Sequence, residues 1–536
     1  MNRRPFALRV RSISALCVIL FIAAACQTSQ PGASSTAPTQ GTSVQTAPSG
    51  QLIIAQSADI NTLDPKLLKG RPTQNVLRLM FDSLFHRDDK MQIIPWLATS
   101  VDNPDTLTWR FHLRSGVKFS NGNDFRANDV KFTMDRLLAK DSTWSERSFI
   151  DRVQVVDDST VDVITKTPYP ALLTNAVLWH MTDEEYYKQA GDEGFQKSPI
   201  GTGPYRFVSW KKDEQVVVEA NTGYWRGVPK IKTVIVKPIP ETATRIAALE
   251  SGEANIISDV TPSYAASPGA AAKIATIPGT RAFFIGMNVN VAPFDDLRVR
   301  QALNYAVDVP TIIKAVLGGL ARPMDNPLLP EAFGYTATPV YHYDVEKAKA
   351  LLAQAGYAGG FEFQVDTSPT LKEIGEAIAG QLKQVGVVMK INVLDPAAFT
   401  ARLEPGKSQA YLNSWGNSEL DASGILPKQF YSKRYGCDLV TYKFPDPRSG
   451  YGDSAKSCYY TGFGDAAVDK AIENGLTNVD AAARKATWGE ALKLIVEKTP
   501  WVFLYNPSEI YAYRGVQGWT PRSDALFNLE AASVTK

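Results

Sequence analysis

The sequence predicts a mixed α/β protein built from two lobes, and three observations lead to that fold class. The chain has 536 residues, more than a single hydrophobic core usually organises. Stretches with the two-residue period of a strand alternate with stretches of helical period, and no repeat unit recurs. Strand-like stretches also return at the end of the chain after a long helical passage. We therefore expect the carboxyl-terminal strands to rejoin a sheet begun near the start.

The composition is that of an ordinary globular protein. Hydrophobic residues make up 44% of the chain and charged residues 21%. Lys+Arg 57 against Asp+Glu 55 gives a formal charge of +2. This balance excludes a strongly basic nucleic-acid-binding protein and a long acidic disordered tail, so we expect no nucleic-acid partner.

The first 25 residues predict export from the cytoplasm. Four arginines precede an apolar run over residues 13–25, which is the pattern of a secretory signal peptide. The run is too short to cross a hydrocarbon core of about 30 Å as a helix. Small residues before Cys26 are similar to a bacterial lipoprotein signal, although Ala23 stands where leucine is usual. Cys26 would then be the acylated first residue of the mature chain; the alternative is plain cleavage near Ala25.

Residues 26–50 predict a flexible tether. Between residues 27 and 50 only Val44 falls outside Gln, Thr, Ser, Pro, Gly and Ala, and such a segment buries too little apolar area to fold. A spacer of this kind suits a protein anchored to a membrane at one end. Without its four leader arginines the mature chain has a formal charge of 53 − 55 = −2.

Two further cysteines, Cys437 and Cys458, predict a disulfide, because an oxidising compartment favours one. It would close a Gly-, Pro- and Tyr-rich segment and stabilise the fold by about 3 kcal/mol. Two buried free thiols are the alternative.

The element predictions follow hydrophobic periodicity and capping residues along the chain. Strands are expected at 51–55, 108–114, 153–156, 161–165, 206–210, 215–220, 233–237, 281–289, 361–365, 387–393, 501–505 and 510–513. Helices are expected after a cap at Asn128 or Asp129, at 241–251, after a cap at Asp295, around 348–355, at 371–385, and after a cap at Asp480.

The search for catalytic motifs finds none. The sequence lacks His-Glu-x-x-His, Gly-x-Ser-x-Gly and the phosphate-binding Gly-x4-Gly-Lys-Ser/Thr motif. The four histidines, His86, His112, His180 and His342, are too far apart for a helix-borne metal pair. Residues 462–467 fit a dinucleotide motif nominally, but Asp465 is explained as a helix cap. We expect no catalytic residue, no metal site and no cofactor.

Six ordered blocks of sequence resemble the solute-binding proteins of peptide/nickel ABC transporters, that is, family 5 of the extracellular solute-binding proteins. The blocks are residues 109–119 with Asn121-Gly122, 127–136, Gly201-Thr202-Gly203-Pro204-Tyr205, Tyr224-Trp225-Arg226-Gly227, 293–303, and 343–352 with Ala355-Gly356-Tyr357.

The resemblance implies a bilobal periplasmic-binding-protein-like fold of the large, three-subdomain type, with two hinge-crossing segments near 281–289 and 500–505. Its implied organisation is lobe I at 51–81, 198–289 and 501–536, an inserted subdomain at 82–197, and lobe II at 290–500. The glycines of the 201–205 block would permit a tight backbone path.

The function implied by the resemblance is capture of a peptide-like or other small polar solute by hinge closure, with delivery to an ABC permease in the inner membrane. We expect a monomeric, extracytoplasmic protein in the periplasm or at the cell surface. A secreted hydrolase or a chaperone on the same fold is the alternative from a different class.

The solute itself is left open by the resemblance. Peptide-binding relatives carry a Trp-x-x-Asp segment whose aspartate pairs with the α-ammonium group, whereas here Trp415 is followed by Ser418. A neutral hydroxyl forms no charge-assisted bond with an ammonium group. An opine, an oligosaccharide or chelated nickel is therefore an alternative to a peptide. The candidate ligand-binding residues are Lys69, Arg71, Arg402, Trp415, Asn417, Ser418, Glu419, Asp421 and Tyr431.

Overall fold

The computed structural model describes residues 47–339, 341–403, 406–433 and 461–535. The signal peptide, Cys26 and the tether up to residue 46 lie outside the described residues, as do Cys437 and Cys458. The first strand begins at Ser49, two positions before the expected start of the folded chain.

Helices and strands alternate through the whole described chain. The helices are α1 Gly70–Met80, α2 Ala127–Leu138, α3 Leu172–Ala176, α4 Glu184–Lys197, α5 Thr242–Ser251, α6 Pro262–Ala266, α7 Leu297–Ala306, α8 Val309–Val316, α9 Val345–Gln354, α10 Lys372–Leu382, α11 Pro396–Leu403, α12 Leu426–Phe430, α13 Ala466–Thr477 and α14 Ala481–Lys498.

The strands are β1 Ser49–Gln56, β2 Phe85–Arg87, β3 Ile93–Pro95, β4 Ala98–Asp102, β5 Thr108–Leu113, β6 Ile150–Asp157, β7 Thr160–Thr165, β8 Tyr205–Lys211, β9 Gln215–Ala220, β10 Ile231–Pro238, β11 Ile256–Ile257, β12 Lys273–Pro278, β13 Arg281–Met287, β14 Ala321–Pro323, β15 Phe361–Thr367, β16 Val387–Val393, β17 Ala410–Gly416, β18 Trp501–Tyr513, β19 Val516–Gln517 and β20 Ser533–Val534.

The predicted α/β fold is confirmed, and one sheet runs through both lobes. Its order is β16-β15-β17-β13-β18-β11-β1-β10-β9-β8, with β12 and β14 pairing to β18. The amino-terminal strand β1 pairs in parallel with β10, and the carboxyl-terminal β18 joins the same sheet through β11. The carboxyl-terminal strands therefore rejoin a sheet begun near the start of the chain.

Strand pairing divides the large sheet into two parts that meet along β18. All of β13 pairs with β17, and Trp501–Tyr505 of β18 pairs with β13, so these segments belong to the lobe II part of the sheet. The later part of β18 pairs with β11 and β12. Strand periodicity shows that a segment is a strand but not which neighbour it pairs with. We therefore assign β13 and Trp501–Tyr505 to lobe II.

The inserted subdomain has a sheet and a core of its own. Its four strands take the order β4-β5-β7-β6, and its buried side chains run from Leu84 to Met181. In β5 the apolar Phe111 and Leu113 are buried and the polar Arg110 and His112 are more exposed, as the sequence predicted, but polar Thr108 is buried as well.

Two capping predictions are confirmed by hydrogen bonds and two are wrong by one or more positions. Asp480 accepts from the amide of Ala483 at 2.7 Å, and Asp465 caps α13. The cap of α2 is at Arg126, whose amide donates to Asp129 at 2.8 Å, because the acid acts from the third helical position. The cap of α7 is Asp296 rather than Asp295. Glu241 precedes α5, and Gly252 ends it with a φ of 89°.

Gly201 and Gly203 make the close backbone approach expected of them. A Cβ at Gly201 would lie 2.2 Å from the carbonyl oxygen of Met80, and one at Gly203 would lie 2.5 Å from its carbonyl carbon. Only glycine fits so close to another backbone. Among the described residues, no helix is long and apolar enough to span a membrane.

Candidate functional site

Helix α1 forms the lobe I wall of a cleft that faces lobe II. Pro72 in its first turn suits a helix start, and Asn75, Val76, Leu79 and Met80 are buried on one side. Arg71, Gln74 and Arg78 are spaced three and four residues apart and so share another side of the helix. Gln74 and Arg78 line a small space together with Ser418 of lobe II.

Arg87, at the end of β2, connects the two sides of the cleft. Its guanidinium donates to the backbone carbonyl of Met91 at 2.8 Å and to the carbonyl of Glu419 in lobe II. Its Nε is buried without a hydrogen-bond partner. Burial lowers the pKa of Arg87, and nearby Asp524 opposes that shift. Arg87 lines the same space as Arg78 and Ser418.

A second pair of arginines, Arg71 and Arg281, lies near the crossing between the lobes. Arg281 donates to Ser414 of β17 at 2.6 Å, and Nη1 of Arg71 is buried without a partner. Both guanidinium groups act on the carboxyl of Glu509, whose pKa is nevertheless raised by burial. The interaction is through space, because no carboxylate oxygen of the described residues lies within 4 Å of either arginine.

The four arginines thus share one electrostatic property. Among the described residues none of Arg71, Arg78, Arg87 and Arg281 forms an ion pair within 4 Å. For Arg78 the nearest polar side-chain contact is Nδ1 of His86 at 3.4 Å, and burial lowers its pKa. The charge of nearby Asp524 is taken up by Arg522 at 2.8 Å. Cations without an ion-pair partner in a cleft favour an anionic ligand.

The predicted lobe II segment lies directly after β17. Trp415 is half-buried in the lobe II core and donates its indole N–H to the carbonyl of Gly424 at 3.2 Å, an arrangement that favours packing in the core over contact with the ligand. Both amide atoms of Asn417 are buried without a hydrogen-bond partner in the described chain. Ser418 contacts Glu419 at 3.3 Å and lines the cleft.

Neither predicted acid of this segment is available as a free charge. Glu419 forms an ion pair with Lys428 at 3.0 Å. Asp421 receives both guanidinium nitrogens of Arg484, at 2.7 and 2.9 Å, in a pair that is 5% and 2% exposed. Removing either partner of such a pair would leave a buried charge, so Asp421 has a structural role.

The remaining predicted residues are not brought together with the cleft. Arg402 donates to buried Asp366 at 2.8 Å, and Asp366 is level with Tyr411, at the opposite end of β17 from Trp415. Tyr431 donates to Glu473 of α13 at 2.7 Å. Lys69 is exposed at the start of α1.

Sequence reasoning missed Gln74, Arg78, Arg87 and Arg281. The spacing of Arg71, Gln74 and Arg78 is a helical pattern and was available as a signal, but no helix was predicted there. Nothing in the sequence around Arg87 or Arg281 distinguishes them from surface arginines. Their place in the structure depends on where strands β2 and β13 lie, because each arginine stands at one end of its strand.

A larger cavity of about 850 Å³ lies between the inserted subdomain and lobe II. Arg87 lines both spaces. In the described part of the chain, no group of three or more histidine, cysteine or acidic side chains is placed to hold a metal ion.

Comparisons with known proteins identify the family. A family model described as bacterial extracellular solute-binding proteins, family 5 Middle, matches residues 92–436. The glutathione-binding protein GsiB of Pectobacterium atrosepticum is 32% identical over 509 residues, covering 90% of this chain and 94% of that protein.

Solved structures agree in fold. The periplasmic binding protein DppA of Helicobacter pylori, in complex with the peptide STSA, superposes with a TM-score of 0.74 at 25% identity, covering 91% of this chain and 98% of that one. AgaA of A. tumefaciens R10, in complex with agropinic acid, gives 0.73 at 26% identity, covering 91% and 99%. The chain therefore belongs to family 5 of the bacterial extracellular solute-binding proteins, and it captures a peptide-like or other small polar solute for an ABC importer.

Proposed function

We propose that the solute is a short, anionic, peptide-like molecule of which glutathione is the model. The observation that supports this most is the set of four arginines in the cleft without an ion pair in the described chain. Glutathione has two carboxylates and one ammonium group and so carries net negative charge at neutral pH. GsiB of P. atrosepticum, a relative at 32% identity, is named for binding it.

The spacing of the arginines also suits a solute with two carboxylates. Arg71 and Arg78 are seven residues apart on α1, which places them about 10 Å apart along the helix axis. An extended tripeptide has about the same length. One carboxylate would meet Arg71 and Arg281, and the other would meet Arg78 and Arg87.

The absence of the expected aspartate fits the same proposal. Ser418 stands where peptide-binding relatives carry the residue that pairs with an α-ammonium group, and Glu419 and Asp421 are held by Lys428 and Arg484. The cleft is therefore better supplied for carboxylates than for an ammonium group.

Isothermal titration calorimetry on the mature chain tests this function. We expect glutathione to bind and its diethyl ester, which lacks both carboxylates, to bind much more weakly. Arg78→Ala and Arg87→Ala should each weaken glutathione binding on the order of ten- to a hundredfold, because each removes a charge-assisted hydrogen bond. Arg206→Ala, on exposed β8, is the matched control. Equal affinity for glutathione and its ester would contradict the proposal.

An opine is the second candidate, and Asn417 is the observation that favours it. Its two buried amide atoms without a partner lie next to Ser418 and would suit a ligand with hydroxyl groups. AgaA, at 26% identity, was solved with agropinic acid. In a calorimetric competition, displacement of glutathione by agropinic acid at a concentration below that of glutathione would favour this candidate.

We further propose that the mature protein is a monomer anchored by a lipid on Cys26 and that it delivers its solute to a membrane permease. The lipoprotein-like signal and the polar spacer after Cys26 support the anchor. Expression of the full chain with Cys26→Ser should move the protein from the membrane fraction to the soluble fraction. An unchanged distribution would overturn the anchor.

A further inference from the structure

The cavity between the inserted subdomain and lobe II is larger than a small tripeptide requires. Its volume of about 850 Å³ lies near the upper end for small-molecule sites. Arg87 lines both this cavity and the small space beside Arg78 and Ser418. A solute held by the arginines would therefore have open space beside it.

The charged groups around this cavity are already engaged, with one exception. Asp421 is paired with Arg484, and Glu331 is paired with Arg322 at 2.7 Å. Asp105 accepts hydrogen bonds from the backbone amide of Leu107 at 2.8 Å and from the hydroxyl of Thr108 at 2.9 Å. Among the described lining residues Arg87 is the one cation without an ion pair, and Asp105 forms no ion pair either.

The remaining walls are largely apolar and are held in place. On the subdomain side Tyr169 stacks on Phe149 with ring centres 4.4 Å apart, and Trp109 lies on β5. On the lobe II side the amide of Phe333 donates to Leu420 at 2.9 Å, and the guanidinium of Arg484 lies 4.8 Å from the Phe333 ring centre. Aromatic walls fixed in this way favour flat apolar groups.

The rim of the cavity is apolar as well. Val479, in the connection between α13 and α14, is 60% exposed and lines the opening. It is the most exposed large apolar side chain of the described residues. Exposed apolar surface at the mouth of a cavity is typical of a binding site.

We propose that this cavity accepts an aromatic or alkyl group carried by the anionic solute, so that the substrate class includes S-substituted peptide thiols. The anionic head would lie at the arginines, and the substituent would lie between Trp109 and Phe333. This inference rests on the proposed function, because it uses the same head group and the same cleft.

Calorimetry of the unmodified protein gives the first test. The probes are glutathione and S-benzylglutathione, which share both carboxylates and differ by one benzyl group. We expect S-benzylglutathione to bind about tenfold more tightly or better, since burying an aromatic ring is favourable by that order.

Variants then locate the effect. Trp109→Ala and Phe333→Ala should each remove most of the advantage of the benzyl group and leave glutathione binding nearly unchanged. Trp210→Ala, a half-buried tryptophan on β8 that donates to Asp59 at 3.2 Å, is the matched control and should keep the full advantage. Circular dichroism melts verify that each variant folds.

The outcomes separate the two proposals. If glutathione binds but S-benzylglutathione binds no more tightly, the inference about the cavity is wrong and the proposed function stands. If the benzyl advantage persists in both variants, the cavity is not its location and the inference is likewise overturned. If neither compound binds, the proposed function fails and this inference fails with it.

Discussion

At the scale of single residues, Asp82 connects two sequence blocks that lie far from it in the chain, residues 201–205 and 224–227. Its carboxylate, 1% exposed, accepts from the indoles of Trp96 at 2.8 Å and Trp225 at 3.0 Å. Thr202 and Tyr224 donate to it at 3.3 Å each. Three of these four donors belong to blocks that carry the family resemblance. The 201–205 and 224–227 blocks are therefore held together around Asp82.

The same carboxyl predicts a pH effect on stability. Burial raises the pKa of Asp82 to about 6, against a usual value of 3.8. The folded chain therefore holds a proton that the unfolded chain has lost between about pH 4 and 6, so the contribution of Asp82 to stability falls as pH rises through that window. Relative to Asp82→Asn, the wild-type free energy of unfolding should fall by on the order of 3 kcal/mol between pH 4 and 7.

Urea unfolding at several pH values measures this difference. Burial lowers the pKa values of His86 and His180, so their contributions to stability are lost as pH falls, whereas that of Asp82 is lost as pH rises. A wild-type-minus-variant difference that does not change with pH would show that Asp82 titrates normally.

At the scale of secondary-structure elements, several helix caps were predicted from short-range signals, but the pairing of strands was not predicted. Asp480 predicts its helix because the capping bond is made three residues away. By contrast, β18 was expected as two strands at 501–505 and 510–513, whereas it is one strand of 13 residues. Pro507 and Ser508 interrupt the apolar pattern, but β14 and β12 pair with this part of the strand and keep it extended.

Prediction of the cleft residues was limited in the same way, by contacts between distant parts of the chain. Arg71 and Ser418 were identified from the sequence because a family pattern pointed to their segments. Arg78, Arg87 and Arg281 were missed because their importance comes from facing each other across lobes, which depends on contacts far apart in the chain. Arg402 was placed near the solute, but Asp366 holds it at the far end of β17.

A glycine prediction belongs to this scale because it tests how α1 meets the 201–205 segment. Gly203→Ala should destabilise the fold by about 1–3 kcal/mol, since its Cβ would overlap the backbone of Met80 and Leu79. Gly380→Ala, inside α10 with no atom within 4 Å of the new Cβ, is the control and should stabilise by about 0.5–1 kcal/mol. Urea midpoints followed by circular dichroism compare them, and equal midpoints would contradict the packing argument.

At the scale of the whole molecule, the lobes are joined by continuous backbone and by few side-chain bonds. The connection from β12 to β13 and the middle of β18 cross between the two parts of the sheet. Arg87 adds a bond from the lobe I side to the carbonyl of Glu419. Crossings of this kind permit the lobes to close on a solute about a hinge. In the proposed complex, arginines on both sides would then surround the ligand.

The central claim is that this cleft selects an anionic, peptide-like solute. Native mass spectrometry of the mature chain, incubated with equal amounts of glutathione, tri-alanine and tri-lysine, tests it most directly. The arginines without partners in the described chain predict that the glutathione adduct dominates and that Arg78→Ala with Arg87→Ala abolishes it. A dominant adduct of tri-lysine or tri-alanine would contradict the claim.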